Sequence, residues 1–303
     1  MTTELRGRGE PITLDPSGPS RIIAERINPS GRSRLLQALL SGEWDYSAAE
    51  ARRQVEAGAD VVDVNVGGKG VDEEKVLPQV VRAVTQAVSV PLSVDTRIPA
   101  ALQAALSVCP GRPLVNSIGG ETKILAENLP IVAEHRTPVI ALCMGAEGIP
   151  SSAEGRLRVA HQVLEAAVRA GIPEEDVLFD PLVLTVGADD QAARVVLETI
   201  RRLREEFPRN NITGGASNVS FGMPARWMLN ASFLTAASLL GMNVPITDPT
   251  KPELQFALRA ADVFLGRDRK SRRYMQFYRD AGAYFRPAPG PESGDRSAQA
   301  KFS

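Results

Sequence analysis

The segment Gly214-Gly-Ala-Ser-Asn-Val-Ser-Phe-Gly-Met-Pro-Ala-Arg226 lies between a predicted strand that begins at Ile212 and an apolar predicted helix over 227–240. Its hydrogen-bonding side chains come from two serines, one asparagine and one arginine, and it contains no His, Cys, Asp, Glu or Lys. Glycine tolerates positive φ and lets a ligand approach the backbone. The segment therefore indicates recognition of a neutral or weakly basic heterocycle; the alternative is an ordinary strand-to-helix loop.

Short apolar strands alternate with amphipathic helices on both sides of this segment. The predicted strands are 21–27, 61–66, 91–94, 114–115, 138–143, 177–179, 212–215 and 244–247. Apolar residues at three- and four-residue spacing predict helices between them, for example over 48–57, 73–88, 152–170, 189–206 and 253–264. Eight such alternations in about 250 residues predict a closed parallel (β/α)8 barrel of the TIM type. The alternative is an open doubly wound sheet, but no Gly-x-Gly-x-x-Gly fingerprint follows the first strand.

The composition limits the classes of protein that fit this chain. Apolar residues make up 43% of the 303 residues and charged residues 23%, so we expect a large core. The net charge of −1 and the lack of a long basic stripe argue against nucleic-acid binding. Cys109 and Cys143 are far apart and only two histidines occur, which argues against a zinc site and fits a reducing cytoplasm. No signal peptide or membrane-spanning apolar run is predicted.

The two ends of the chain differ from the barrel segment, which we place at 21–266. Residues 1–20 are polar and rich in Gly, Pro and Arg, and indicate an extension that does not pack. The segment 267–303 begins with a basic run that indicates an amphipathic helix through Tyr278. Its basic face is either solvated or a docking patch for an acidic partner protein. Residues 287–303 are rich in Pro, Gly, Ser and Ala, and predict a disordered tail.

Carboxylates and amides stand at nearly every predicted strand end. In a parallel barrel these ends share one face, where functional side chains collect. A single Asp at a strand end usually caps the next helix, as we expect for Asp248. Four such side chains that point into one opening are not expected from capping alone. These four are Asp95, Asn116, Asp180 and Asn218.

Two kinds of ligand fit such a set of groups. The carboxylates of Asp63, Asp95 and Asp180 are hard oxygen donors that could hold a metal ion. The interspersed amides and the missing histidines favour a heterocycle with both donors and acceptors. A 2-amino-4-oxopyrimidine edge offers adjacent N–H donors to a carboxylate, and its ring nitrogens take hydrogen bonds from amide or carboxyl groups. We therefore expect a heterocycle site and no metal.

Seven motifs in one order resemble those of the pterin-binding methyltransferases, over roughly residues 21–266. The resemblance is strongest to the methyltetrahydrofolate:corrinoid (iron–sulfur) protein methyltransferases and to the folate domain of cobalamin-dependent methionine synthase. The motifs are Ile23-Ala-Glu-Arg-Ile-Asn28, Asp63-Val-Asn-Val-Gly67, Ser93-Val-Asp-Thr96, Val115-Asn-Ser117, Met144 with Gly148-Ile-Pro150, Phe179-Asp-Pro-Leu182, and Ser217-Asn-Val-Ser-Phe-Gly222 with Arg226.

This resemblance implies a dihydropteroate-synthase-like barrel with a pterin at the strand ends. It implies that Asp95, Asn116 and Asp180 hold the pterin ring. Asn218 would form a hydrogen bond near N5, the atom that carries the methyl group, and Arg226 would lie near the same face or the folate tail. The remaining residues that match the binding motifs, with less specific roles, are Glu25, Asn65, Ser217 and Phe221.

The implied reaction moves a methyl group between N5 of tetrahydrofolate and the cobalt of a corrinoid (cobalamin). The chain lacks the Asp-x-His-x-x-Gly motif of cobalamin domains, so the resemblance implies a separate corrinoid protein as partner of a homodimeric enzyme. The motifs are compatible with either direction of transfer. Two alternatives stay open: a dihydropteroate synthase, although no basic residue stands near Asn218 on the seventh strand, and a non-catalytic folate-binding subunit.

Overall fold

A computed structural model describes residues 2–282, and strands and helices alternate through most of this range as predicted. The barrel strands β3–β10 coincide with or overlap the predicted spans. The strands are β1 (Thr3–Leu5), β2 (Ile12–Leu14), β3 (Ile23–Ile27), β4 (Val61–Asn65), β5 (Leu92–Asp95), β6 (Leu114–Ile118), β7 (Val139–Leu142), β8 (Val177–Asp180), β9 (Thr213–Gly215) and β10 (Val244–Thr247).

The eight strands β3–β10 form one parallel sheet that closes on itself. Their order is β8-β7-β6-β5-β4-β3-β10-β9. A parallel bridge between Phe179 of β8 and Ile212 joins the two outer strands, and the Phe179 N–H donates to the Asn211 carbonyl at 2.9 Å. The predicted (β/α)8 barrel is confirmed, and the open sheet is excluded. We call the rim formed by the carboxyl ends of β3–β10 the barrel mouth.

Helices surround the barrel, and their ends follow local chemistry. The Ser152 hydroxyl accepts the Gly155 N–H at 3.1 Å and caps the helix that follows. Gly58 and Gly171 end two helices at positive φ. The helices are α1 (Ser33–Ser41), α2 (Trp44–Glu56), α3 (Glu73–Ala87), α4 (Pro99–Leu106), α5 (Thr122–Glu134), α6 (Ala153–Arg169), α7 (Ala192–Glu206), α8 (Arg226–Leu240), α9 (Pro252–Phe264) and α10 (Arg272–Asp280).

Three of these helices, α1, α4 and α5, lie outside the spans that periodicity predicted. Neither short length nor an internal proline explains this difference, because the nine-residue α10 and α3, which contains Pro78, were both predicted. None of the helices between residues 2 and 282 is long and apolar enough to cross a membrane.

A hairpin at the N-terminus covers the end of the barrel opposite the mouth. β1 and β2 pair antiparallel, and Leu5 and Leu14 are completely buried. They join an apolar layer inside the barrel made by Ile23, Val61, Leu114, Ile140, Leu178, Val244 and Ile246. The expectation that residues 1–20 do not pack is therefore wrong for residues 3–14. The surface that buries these two leucines exists only after the strands close, so the local composition did not reveal it.

The predicted amphipathic helix near the C-terminus is present as α10. Its aromatic side chains pack on α9, with the rings of Tyr274 and Phe277 at 5.6 and 4.9 Å from the ring of Phe256. The side chains of Arg272 and Arg279 are exposed on the opposite, basic face. The predicted tail over 287–303 lies outside the described residues.

Replacing Leu14 by Ala should lower the free energy of unfolding by about 2–5 kcal/mol, because it opens a cavity in the inner layer of the barrel. Urea denaturation monitored by circular dichroism measures this change. Thr13→Ala, at an exposed position of the same strand, is the matched control and should change little. Equal effects of the two substitutions would show that the hairpin does not support the barrel.

Candidate functional site

Three neighbouring strands bring a cluster of polar side chains to the barrel mouth. The Asn116 amide of β6 donates to Asp63 Oδ1 of β4 at 3.1 Å, across the intervening strand β5. Asp95, the last residue of β5, pairs in register with Asn65 on one side and Asn116 on the other. Asn65 uses its carbonyl oxygen to accept the Gly67 N–H at 2.8 Å, which fixes its side chain. The structure thus brings together Asn65, Asp95 and Asn116 as the sequence predicted.

The two carboxyl groups in this cluster hold protons more tightly than free aspartate does. Burial raises the pKa of Asp63 to about 6, partly opposed by hydrogen bonds such as that from Asn116. Burial and then the charge of Asp63 raise the pKa of Asp95 well above its usual range. Close to neutral pH this pair can therefore both donate and accept hydrogen bonds, which a heterocycle with mixed donors and acceptors requires.

Asp180 ends β8 on the other side of the barrel mouth. Its side chain is almost fully buried, and its Oδ1 accepts the Leu182 N–H at 2.7 Å. Burial raises its pKa to about 6, opposed by that hydrogen bond and by the positive charge of Arg156. Oδ1 would lie only 3.2 Å from a Cβ atom on Gly214 of β9, where φ is +153°. Glycine at this position therefore lets the carboxylate lie directly against the neighbouring strand.

Glu25 of β3 and Ser217 after β9 form a hydrogen-bonded pair across the strand β10 between them. The Ser217 hydroxyl donates to Glu25 Oε1 at 2.6 Å. Burial raises the pKa of Glu25 to about 7, and the bond from Ser217 opposes this rise. Both predicted residues therefore belong to the barrel mouth, and Glu25 changes its charge near neutral pH.

Asn218 lies in a 3₁₀ turn over Ala216–Ser220 that follows β9. Its side chain is exposed, and its Nδ2 would lie 2.9 Å from a Cβ atom on Gly215. Within the described part of the chain the amide has no hydrogen-bond partner. Asn218 and Asp180 thus lie against consecutive glycines of one strand, with the amide available to a ligand.

Arg226 stabilises the turn that carries Asn218. Its Nη2 donates to the Ser217 carbonyl at 2.8 Å, and its Nε donates to the Ser220 hydroxyl at 3.0 Å. The guanidinium also lies 6.0 Å from the centre of the Phe221 ring, whose residue is 68% exposed. The structure therefore brings Arg226 and Phe221 together at the edge of the barrel mouth, where Arg226 already has protein partners.

The groups at the barrel mouth offer hydrogen-bond donors and acceptors but no activated nucleophile. The Cys143 thiol at the end of β7 is completely buried, and burial raises its pKa, so it stays protonated. Across residues 2–282 no group of three or more His, Cys, Asp or Glu residues is arranged to hold a metal ion. The chemistry available at the mouth is hydrogen bonding, orientation and charge stabilisation.

One residue of the site, Arg156, was missed in the sequence. It lies on α6 at 2% exposure, and its guanidinium donates to three backbone carbonyls at the barrel mouth. Arg156 stands in line with Ala160, Val163 and Ala167, which form the buried stripe of α6. A charged residue within an apolar helical stripe is the signal that could have identified it.

Comparison with known proteins places this chain among the pterin-binding enzymes. A family model described as "Pterin binding enzyme" matches residues 24–248. The chain is 32% identical over 260 residues to the methylcorrinoid:tetrahydrofolate methyltransferase of Eubacterium limosum, which covers 85% of this chain and 96% of that relative. It is also 29% identical over 245 residues to the methionine synthase of Mycobacterium tuberculosis, covering 76% of this chain but only 20% of that larger protein.

Solved structures show the same fold. The dihydropteroate synthase of Yersinia pestis with a pterine–sulfa conjugate superposes with a TM-score of 0.66 at 22% identity, covering 87% of this chain and 99% of that one. The dihydropteroate synthase of Xanthomonas albilineans gives a TM-score of 0.62 at 20% identity. At these identities the likeness concerns the barrel alone.

Replacing Glu25 by Gln should raise the free energy of unfolding at pH 8 by about 1–3 kcal/mol. The folded protein keeps the Glu25 proton up to about pH 7, whereas the unfolded chain releases it near pH 4.5. Ionisation of Glu25 therefore destabilises the folded state, and this destabilisation increases as the pH rises from about 4.5 to about 7. The amide removes this cost and still accepts the Ser217 hydroxyl.

Urea denaturation at pH 4 and pH 8 measures this difference, which should nearly vanish at the lower pH. Glu56→Gln, at an exposed position ending α2, is the control and should show no such pH dependence. A stabilisation by Glu25→Gln that is equal at both pH values would contradict the raised pKa.

Proposed function

Because the chain belongs to the family of pterin-binding enzymes, we propose that it is a methyltransferase acting on tetrahydrofolate and a corrinoid. It moves a methyl group between N5 of tetrahydrofolate and the cobalt of a corrinoid that a separate protein carries. The name of the Eubacterium limosum relative, which this chain matches over nearly the whole length of both proteins, supports this reaction.

In this proposal the pterin binds edge-on at the barrel mouth. The carboxylate of Asp180 accepts two N–H groups of the 2-amino-4-oxopyrimidine edge, since its Oδ2 has no hydrogen bond to the described residues. Asn116 and the protonated carboxyl shared by Asp63 and Asp95 supply donors to the ring acceptors. Burial of these groups supports the assignment, because a rigid, desolvated site discriminates well between correct and incorrect hydrogen-bond patterns.

The role of Asn218 follows from the charge that changes at N5. When the methyl group leaves N5, the electron pair of the N–C bond stays on nitrogen, which becomes more basic and takes up a proton from solvent to form the N–H of tetrahydrofolate, while cobalt(I) donates the pair that forms the Co–C bond. In the reverse direction the N5 electron pair attacks the methyl group, cobalt(I) leaves with the pair of the Co–C bond, and N5 releases its proton to solvent. A hydrogen bond from Asn218 to N5 stabilises the developing electron pair without a tuned pKa. The observation that carries the proposal is this exposed amide, without a hydrogen-bond partner among residues 2–282, on the turn that follows β9.

We propose that the methyl group passes from the corrinoid to tetrahydrofolate. The name of the 32% identical relative supports this direction, since it gives the methylcorrinoid as donor and tetrahydrofolate as acceptor. Microscopic reversibility requires the same residues to act in both directions, so an assay in either direction tests the site.

An apolar edge of the barrel mouth supports docking of a corrinoid protein. Phe221, just after the 3₁₀ turn, and Trp227 and Met228, at the start of α8, are 68%, 54% and 53% exposed. Exposed aromatic and methionine side chains are typical of the centres of protein interfaces. Their position next to Asn218 would bring the partner's cobalt to the face where N5 is bound.

Replacing Asn218 by Ala should lower kcat by about 10²- to 10³-fold, because one preorganised donor to the transition state is lost. The melting temperature should change little, since the amide supports no contact among residues 2–282. The measurement follows the corrinoid absorbance during methyl transfer between 5-methyltetrahydrofolate and cob(I)alamin. Gln191→Ala, another exposed amide, is the control.

An Asn218→Ala enzyme with the wild-type rate would rule out the assigned role. If the wild-type protein binds 5-methyltetrahydrofolate but transfers no methyl group, the non-catalytic folate-binding subunit is the better assignment. Condensation of p-aminobenzoate with a pterin pyrophosphate would instead identify a dihydropteroate synthase.

Replacing Trp227 by Ser should raise KM for the methylated corrinoid protein by about tenfold or more, as loss of an aromatic anchor does at interfaces. KM for free methylcobalamin should not change, because the small substrate does not need the docking surface. Leu239→Ser, a similarly exposed apolar residue at the other end of α8, is the matched control. If the Trp227 variant has the same KM for the methylated corrinoid protein as the wild type, the docking surface lies elsewhere.

A further inference from the structure

Arg156 is a buried cation that binds backbone rather than a carboxylate. Its Nε donates to the Pro150 carbonyl at 3.0 Å, and its Nη1 donates to the carbonyls of Pro181 and Leu182 at 2.7 and 3.0 Å. No carboxylate of residues 2–282 forms an ion pair with it. A buried charge without a paired partner is costly, so its retention inside α6 calls for a function.

The three carbonyls belong to two loops of the barrel mouth. Pro150 lies in the loop between β7 and α6, and Pro181 and Leu182 begin the loop between β8 and α7. Leu182 has a φ of +64°, a conformation that is unfavourable for a side chain with a Cβ atom. Its N–H is bonded to Asp180 and its carbonyl to Arg156, and these two contacts stabilise the turn. The direction of the Asp180 carboxylate therefore depends on Arg156.

The charge of Arg156 also acts on Asp180. Burial raises the pKa of Asp180 to about 6, and this rise is opposed first by the Leu182 N–H and then by the positive charge of the Arg156 guanidinium. Among residues 2–282, Cys143, which directly follows β7, also faces Asp180; burial raises its pKa, so it stays neutral. The wall on the β9 side is Gly214, which carries no charge. Arg156 is thus the cation that keeps Asp180 ionised at neutral pH.

We propose that Arg156 is a positioning residue for pterin binding, which fixes the Pro181–Leu182 turn and places a positive charge behind the Asp180 carboxylate. This inference rests on the proposed function, in which ionised Asp180 accepts N–H groups of the pterin. Arg156 touches neither the pterin nor N5 in this account. It acts through the geometry and the charge of Asp180.

The test measures the Kd of 5-methyltetrahydrofolate by titration calorimetry between pH 5 and pH 9. Arg156→Met removes the charge and the three hydrogen bonds. The midpoint, which is the pH at which binding reaches half its full strength as Asp180 ionises, should rise by about one to two pH units in this variant. At pH 7 its binding should be weaker by about tenfold, and part of this loss should disappear at pH 9. Arg156→Lys keeps the charge but not the fork of donors, so it should keep the midpoint and bind more weakly at every pH.

The matched control is Arg158→Met, two residues further along α6, where the arginine side chain is 70% exposed. It should reproduce the wild-type curve. Thermal melting of each variant identifies those that fold, and the lysine variant preserves the test if the methionine variant does not. A wild-type Kd and midpoint in folded Arg156→Met or Arg156→Lys would overturn the inference. Failure of the wild-type protein to bind 5-methyltetrahydrofolate at any pH would overturn the proposed function instead.

Discussion

Closure of the eight-stranded sheet is the constraint on which the site depends. β8 and β9 stand at opposite ends of the strand order, and the bridge between Phe179 and Ile212 makes them neighbours. Only in the closed barrel does the Asp180 carboxylate lie against Gly214. The same closure forms the inner apolar layer that buries Leu5 and Leu14. The packing of the N-terminal hairpin at one end of the barrel and the site at the other end therefore both depend on closure of the sheet.

Burial gives the barrel mouth its chemistry and also makes it costly. The pKa values of Glu25, Asp63 and Asp180 are raised because the folded chain removes these carboxyl groups from water. The local contacts of Ser217, Asn116 and Arg156 offset only part of this cost. A site of this kind is less stable than an apolar one, but its groups are oriented before a ligand arrives. Binding sites commonly lower the stability of the folded protein in this way while they hold their polar groups in the orientation that a ligand needs.

In the reaction we propose, the chain contributes binding and one hydrogen bond, and the substrates contribute the reactive atoms. This division agrees with a mouth whose thiol, Cys143, is buried and protonated and whose arginine, Arg226, is bonded to its own loop. When cobalt is the nucleophile or the leaving group, the protein needs to supply only a hydrogen bond at N5. The exposed amide of Asn218, on a turn that Arg226 stabilises, can supply it. The exposed aromatic edge beside it would then select the protein that brings the cobalt.

The sequence by itself determined the order of strands and helices and the strand-end positions of Asp95, Asn116 and Asp180, because periodicity and strand ends are local properties. The helices α1, α4 and α5 were not among the spans that this local reasoning named. Only the tertiary structure decided the packing of the N-terminal hairpin, the pairing of Glu25 with Ser217 and the contacts of Arg156 with two loops. Each of these depends on surfaces or carbonyls that distant segments bring together, and no local pattern encodes which segments will meet once the barrel closes.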